Sequence, residues 1–244
     1  MESARRGAPA YPARRTYPGR LIAVEGIDGS GKSTQVRLLL QWLLAAGHPA
    51  FLTAWNSSPL VHPSLRRAKK AQALTPEVFS LMHAADLADR LDREVLPRLE
   101  AGFTILADRW VCTALARDGA RGLPSRWVRR VYAFAPRPTL TLYFRVPVEE
   151  ATARILAARA QLKYYEAGLD LGLAADPATS FGLFQRRVAE RYERLIRRER
   201  LVVVDGRDPI PVQQERVRAL VRTALAEPSA PGEGAAASPG SPPG

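Results

Sequence analysis

The sequence predicts an α/β domain built on a five-stranded parallel sheet with helices on both faces. Three observations predict it. Short apolar runs of strand length alternate with longer amphipathic segments from residue 20 to residue 226. A glycine-rich turn, Gly26 to Ser33, joins the first run to the first helical stretch. The Arg-rich head, residues 1–19, and the Pro/Gly/Ala/Ser tail, residues 227–244, show no periodicity, and their composition predicts disorder.

The elements follow in order. Arg20–Glu25 (RLIAVE) reads as a buried strand. Val36, Leu39, Leu40, Leu43 and Leu44 recur at helical spacing, and Gly47 ends that helix. Ala50–Ala54 is the second strand, Phe103–Ala107 the third, Thr139–Val146 the fourth and Leu201–Asp205 the fifth. Glu77–Leu99, Ser125–Phe134, Val148–Ala160, Ser180–Arg198 and Pro211–Ala226 read as helices. Helices between successive strands are the crossovers a parallel sheet needs. Ligands of such a sheet gather at the carboxyl ends of its strands.

Composition narrows the class. With 244 residues, 46% of them apolar and 25% charged, the chain is sized for one soluble globular domain. No apolar run approaches the roughly 20 residues that cross a bilayer. Cys112 is the lone cysteine, which excludes an intrachain disulfide and a cysteine metal cluster. Three dispersed histidines form no zinc pattern. One cysteine and no apolar leader point to a reducing, cytoplasmic setting. The net charge of +12 is spread over amphipathic segments without interleaved aromatics. That pattern reads as solvated faces plus a phosphate site, and not as a nucleic-acid surface.

Gly26-Ile27-Asp28-Gly29-Ser30-Gly31-Lys32-Ser33 fits G-x-x-x-x-G-K-[ST] between a strand and a helix, the context of a P-loop. Its glycines let backbone N–H groups converge on phosphate oxygens, and the helix N-terminus adds positive charge. Gly26 to Thr34 are therefore the candidate ATP-binding residues, with Lys32 reaching the β- and γ-phosphates. The hydroxyl of Ser33 and the carboxylate of Asp108, at the tip of the third strand, are candidate ligands for Mg²⁺. Arg109 beside it offers a fork for an acceptor phosphate.

These residues resemble the thymidylate kinase family. Val24 to Gln35 resembles its P-loop, and Asp108-Arg109-Trp110 its Asp-Arg-aromatic motif. Arg121-Gly122-Leu123, Thr139 to Pro147, and the pattern of Phe184, Arg187, Val188 and Tyr192 are also similar. The likeness spans about residues 20–222. It implies a P-loop kinase fold, a mobile lid at about 158–176 and a homodimer. It also implies transfer of the ATP γ-phosphate to a nucleoside monophosphate, dTMP first, with Mg²⁺. Ile27, Asp28, Gly29 and Ser30 include no arginine, so the resemblance puts the catalytic cations elsewhere. Arg159 and Lys163, and less directly Arg154, are the candidates beside Lys32 and Arg109.

The acceptor side departs from the family. Thr53-Ala54-Trp55-Asn56 stands where the family has Thr-Arg-Glu-Pro, and Leu87 replaces a base-contacting Arg. Arg90 lies one helical turn later. His83 takes the place of a pocket aromatic, and Arg117 that of a sugar-facing Tyr. Lys163 to Asp170 replaces the usual lid pattern, with Glu166 available to hold the lid or a metal-bound water. The candidate acceptor set is Asp28, Trp55, His83, Arg90, Arg109 and Arg117, with Trp55, Tyr164 and Tyr165 as stacking groups. Two alternatives stay open. One is a nucleotide-binding switch or partner-binding protein without kinase activity, and the other a kinase of another small phosphorylated acceptor.

Overall fold

The computed structural model describes residues 16–158 and 161–226. Strands β1 (Arg20–Glu25), β2 (Ala50–Ala54), β3 (Thr104–Asp108), β4 (Leu140–Arg145) and β5 (Val202–Asp205) form one parallel sheet in the order β2-β3-β1-β4-β5. Side chains alternate across it and feed two cores. Leu21, Ala23, Ile105, Ala107 and Tyr143 face one, and Ile22, Val24, Leu106, Leu142 and Phe144 the other. Both faces are apolar, which is why the strands read as unbroken apolar runs.

Helices α1 (Lys32–Ala45) and α9 (Ile210–Ala226) cover the second face through Val36, Leu39, Leu43, Val217 and Val221. The first face is covered by α3 (Pro76–Arg90), α5 (Val111–Ala120), α6 (Ser125–Val131) and α8 (Pro177–Arg198). Helix α7 (Val148–Ala158) packs on α8, and α2 (His62–Lys70) follows β2. The chain leaves β1 toward β2 and β3 on one side and later toward β4 on the other. The crevice at the carboxyl end of β1 is therefore the switch point where ligands bind. None of the described helices is long and apolar enough to cross a membrane.

Some elements differ from the sequence expectation. The single helix expected over Glu77–Leu99 is α3, a π-helical turn at Leu91–Val95, and α4 (Leu96–Glu100). Pro97 has no N–H to continue the regular ladder, and the N–H of Leu96 bonds five residues back to Leu91. Helices α2 and α5 were not expected. In α2 only Leu65 is buried, so the sequence carries no apolar stripe. In α5 nearly every residue is buried, so it carries no polar face. Residues 16–19, assigned to the extension, join the fold where Gly19 donates to the Leu99 carbonyl at 2.9 Å and Tyr17 packs against the core.

Candidate active site

At the end of β1 the chain turns through Gly26 to Gly31 into α1. The turn demands glycine at Gly29, where φ is 85° and a Cβ would lie 2.2 Å from the Ala151 carbonyl oxygen. The resulting concavity holds Lys32, whose Nζ donates to the Ile27 carbonyl at 3.2 Å and stands 4.0 Å from Asp28 Oδ1. Burial pushes the Lys32 pKa down to about 8, helped by Arg109 and opposed by Asp28 and Asp108. Ser33 Oγ donates to Asp108 Oδ2 at 2.7 Å. The other oxygen, Asp108 Oδ1, is buried without a protein partner. A hydroxyl beside an unspent carboxylate oxygen suits a hard divalent cation. A cavity of about 330 Å³ is lined by Asp28, Lys32, Ser33, Asp108 and Arg109, with Trp55 at its edge.

Near Lys32, Arg109 takes φ of 77°, a left-handed conformation a non-glycine residue adopts at a cost. Its guanidinium donates to the Gly26 carbonyl at 3.0 Å and to Asp28 Oδ1. Burial works against this charge, but Asp28, then Tyr192 and Asp108, outweigh it and raise the Arg109 pKa. Asp28 is steadied by Gln185, which accepts from its backbone N–H at 3.1 Å and donates to Oδ2 at 3.3 Å. Arg117 in α5 brings its guanidinium to 3.8 Å from Asp28 Oδ2.

Glu25 lies beneath this pair and is fully buried. It accepts from the N–H of Trp110 at 2.8 Å, Thr113 Oγ1 at 2.6 Å and Tyr192 Oη at 2.8 Å. A carboxylate there caps the first turn of α5 and anchors the chain just after Arg109. Burial raises its pKa, while the bonds from Thr113, Tyr192 and Trp110 oppose the shift.

The far wall is aromatic. Trp55, just past β2, stacks with His83 at 5.7 Å and Tyr132 at 6.1 Å. His83 Nδ1 donates to the Phe79 carbonyl at 2.8 Å, which leaves Nε2 to accept from Lys69 Nζ at 3.1 Å. Burial, then the Lys69 charge, holds His83 well below its ordinary pKa. Burial pushes Lys69 down to about 7, with further lowering from Arg117, Arg121 and Lys163.

The structure brings Asp28, Lys32, Ser33, Asp108, Arg109 and Trp55 onto one cavity, with Arg117 against Asp28 and His83 behind Trp55. It does not bring Arg90 there. Arg90 is fully buried, donating to Asp86 at 2.9 Å and Thr53 at 2.9 Å. Asp86 in turn accepts from the N–H groups of Asn56 and Ser58, so this pair braces the turn that carries Trp55. Tyr165 is buried against Phe79, and its hydroxyl accepts from the Leu74 N–H at 2.8 Å. Tyr164 packs edge-on against it. Lys163 is exposed, and Arg159 lies outside the described residues. Arg154 reaches the Gly29 carbonyl at 3.4 Å and the Gly206 carbonyl at 3.3 Å.

Four contributors were not singled out from sequence: Glu25, Lys69, Gln185, and Arg121 as more than part of a turn. Arg121 pairs with Asp170 at 2.7 Å between the rings of Phe79 and Phe184. Gln185 leaves one sequence trace, a polar residue beside Phe184 on the apolar face of α8. The others reveal themselves only through contacts distant in sequence.

A parallel sheet that sets a phosphate-cradling turn and its lysine beside a strained arginine at the end of the neighbouring strand is the framework of P-loop phosphotransferases. Sequence comparison narrows the class: the family model for thymidylate kinase matches residues 24–217, and the chain belongs to that family. It is an ATP-using nucleoside monophosphate kinase. It is 41% identical over 204 residues to "Probable thymidylate kinase 2" of Saccharolobus solfataricus, covering 83% of this chain and 95% of that protein. It is 36% identical over 143 residues to "Probable thymidylate kinase" of Pyrococcus horikoshii, covering 56% and 70%. The match to "Probable thymidylate kinase" of Thermococcus kodakarensis is 28% over 216 residues, covering 84% and 98%.

Proposed function

We propose that the chain transfers the γ-phosphate of ATP to dTMP, giving dTDP and ADP. Asp28 carries this assignment, because one of its oxygens is approached by both Arg109 and Lys32 on the cavity. One cation faces a triphosphate in the P-loop, and a planar fork faces a second phosphate. The names of the relatives support thymidylate as that second nucleotide.

Backbone N–H groups of the P-loop turn hold the β- and γ-phosphates, and Lys32 offsets their charge. Arg109 aligns the acceptor phosphate, and Asp28 and Gln185 orient Arg109. The acceptor attacks as a phosphate dianion, so no general base is required; catalysis is positioning and charge neutralisation. Ser33 and the unspent oxygen of Asp108 fit Mg²⁺. When bound, Mg²⁺ supplies charge neutralisation on the β- and γ-oxygens. Arg159 and Lys163 belong to the proposed lid and add positive charge when it closes. Trp55 and His83 form the wall for the base. A cytoplasmic homodimer completes the proposal, supported by the outward apolar side chains of α3, Val78 and Leu81, 43% and 49% exposed.

An ADP-release assay across dTMP, dUMP, UMP, CMP, AMP and GMP tests the acceptor. The expected result is the highest kcat/KM with dTMP, by tenfold or more, roughly the 1.4 kcal/mol one good contact supplies. A different preferred monophosphate replaces the acceptor. ATP turnover indifferent to all of them replaces the kinase assignment with a nucleotide switch.

A further inference from the structure

Asp28 is approached by more positive charge than it neutralises. Among the described residues, Arg109, Arg117 and Lys32 all come within 4.0 Å of its two oxygens. One carboxylate offsets one of those three charges. Asp108, the next carboxylate on the cavity, is turned to Ser33. Asp108 nonetheless acts on Lys32 and Arg109, and Glu166 on Arg117, so the surplus is smaller than the three cations alone suggest.

The three cations are not equivalent. Arg109 already engages both terminal nitrogens, with the Gly26 carbonyl and Asp28, and keeps its remaining N–H groups for the acceptor phosphate. Lys32 donates to the Ile27 carbonyl. The guanidinium of Arg117 makes no hydrogen bond among the described residues, only the 3.8 Å ion pair, although its side chain is just 17% exposed. A guanidinium so far withdrawn from water, with its donors unspent, is poised for an anion.

Its position is also distinctive. Arg117 acts electrostatically on Lys32 in the P-loop and on both Lys69 and His83 at the acceptor wall. It therefore lies within electrostatic reach of both the P-loop lysine and the aromatic wall. It arrives from the rigid body of α5, packed along α8 and anchored at its start by Glu25, so it needs no lid movement to get there.

We propose that Arg117 is a catalytic residue: its guanidinium binds the phosphoryl group in transit between ATP and the acceptor monophosphate, and does not serve as a wall of the sugar pocket. In the transfer, an acceptor phosphate oxygen forms a bond to the γ-phosphorus. The bond from that phosphorus to the β–γ bridging oxygen breaks, and its electron pair leaves with ADP. No proton moves at Arg117. Its N–H groups stabilise the charge spread over the transferring oxygens in the transition state. The role rests on the kinase assignment above but not on thymine as the base.

The test is steady-state kinetics of Arg117→Met and Arg117→Lys, using whichever monophosphate the wild type turns over fastest. A failure of dTMP as acceptor thus stays distinguishable from a failure of this role. For Arg117→Met the expected loss in kcat is about 10²-fold or more, with KM for ATP and for the acceptor within about fivefold. Arg117→Lys keeps charge without the fork and should recover only part of that loss. Thermal melting of both variants checks the fold. In Arg117→Ala, added methylguanidine should restore part of kcat, which a purely structural arginine would not show. A kcat within threefold of wild type overturns the proposal. So does a loss confined to acceptor KM, which would make Arg117 a holder of the resting nucleotide.

Discussion

The donor end and the acceptor wall of this cavity are built by different means. The donor end is eight consecutive residues, Gly26 to Ser33, shaped by backbone conformation and one lysine. The acceptor wall is assembled from Trp55 after β2, Lys69 in α2 and His83 in α3. Backbone N–H groups recognise a phosphate whatever surrounds them, so the donor end tolerates little change. A wall of side chains from separate helices can be exchanged residue by residue while the sheet stays put. Of the departures from the family pattern, Trp55 and His83 lie on that wall, while Leu87 is buried in the core.

The two ends should therefore fail differently. The largest effect is expected for Lys32→Ala. Losing its charge at the γ-phosphate should cut kcat by about 10²- to 10³-fold, roughly 3–4 kcal/mol. Burying this ammonium is itself unfavourable, so the melting temperature should not fall. A folded variant with near wild-type turnover would remove the P-loop from the chemistry and dissolve the comparison.

Arg109→Lys comes next and belongs to the acceptor side. A lysine keeps the charge but loses the fork that spans Gly26 and Asp28. Acceptor KM should rise about 30-fold, on the order of 2 kcal/mol, while KM for ATP stays within about threefold. Equal damage to both substrates, read by varying each at saturation of the other, would show that the ends are not separable.

Trp55→Ala should be milder. Its ring already packs on His83 and Tyr132, so removal loosens a wall and leaves the phosphate contacts intact. An increase of about tenfold in acceptor KM is expected, with ATP unaffected. No change at all in competition with a range of bases would mean that the stack faces only protein.

A pH profile sharpens the donor side with the smallest effect. The protonated form of Lys32 binds phosphate, and burial has brought its pKa down to about 8. Below that pH it is charged; above it the charge is lost. kcat/KM for ATP, which reports the free enzyme, should be about half-maximal near pH 8 and decline further as pH rises. A flat profile to pH 9.5 would place the Lys32 pKa nearer its ordinary value.

Much of the fold was legible because its signals are local. The strands are buried on both faces and so appear as apolar runs, and the glycine pattern of the P-loop follows from φ values no other residue adopts cheaply. Helix α5 was not legible for the opposite reason, since burial on nearly every side erased its period. The break in the long helix had a visible cause in Pro97, but its form, a π-helical turn, depends on packing. At the site, Lys32, Ser33, Asp108 and Arg109 sit in two short motifs at strand ends, where sheet topology alone brings them together.

By itself, then, the sequence determined the layered sheet, the phosphate cradle and the carboxylate beside it, because each depends on neighbours along the chain. Tertiary structure decided how the arginines divide their work. Arg90 and Arg117 are both arginines on helices facing the same region, and nothing local separates them. Packing buries Arg90 against Asp86, where it braces the Trp55 turn. The same packing leaves Arg117 at 3.8 Å from Asp28 with its hydrogen bonds unspent. The availability of a charge is set by which carboxylate the fold brings beside it, and that distance is fixed only when helices remote in sequence close over the sheet.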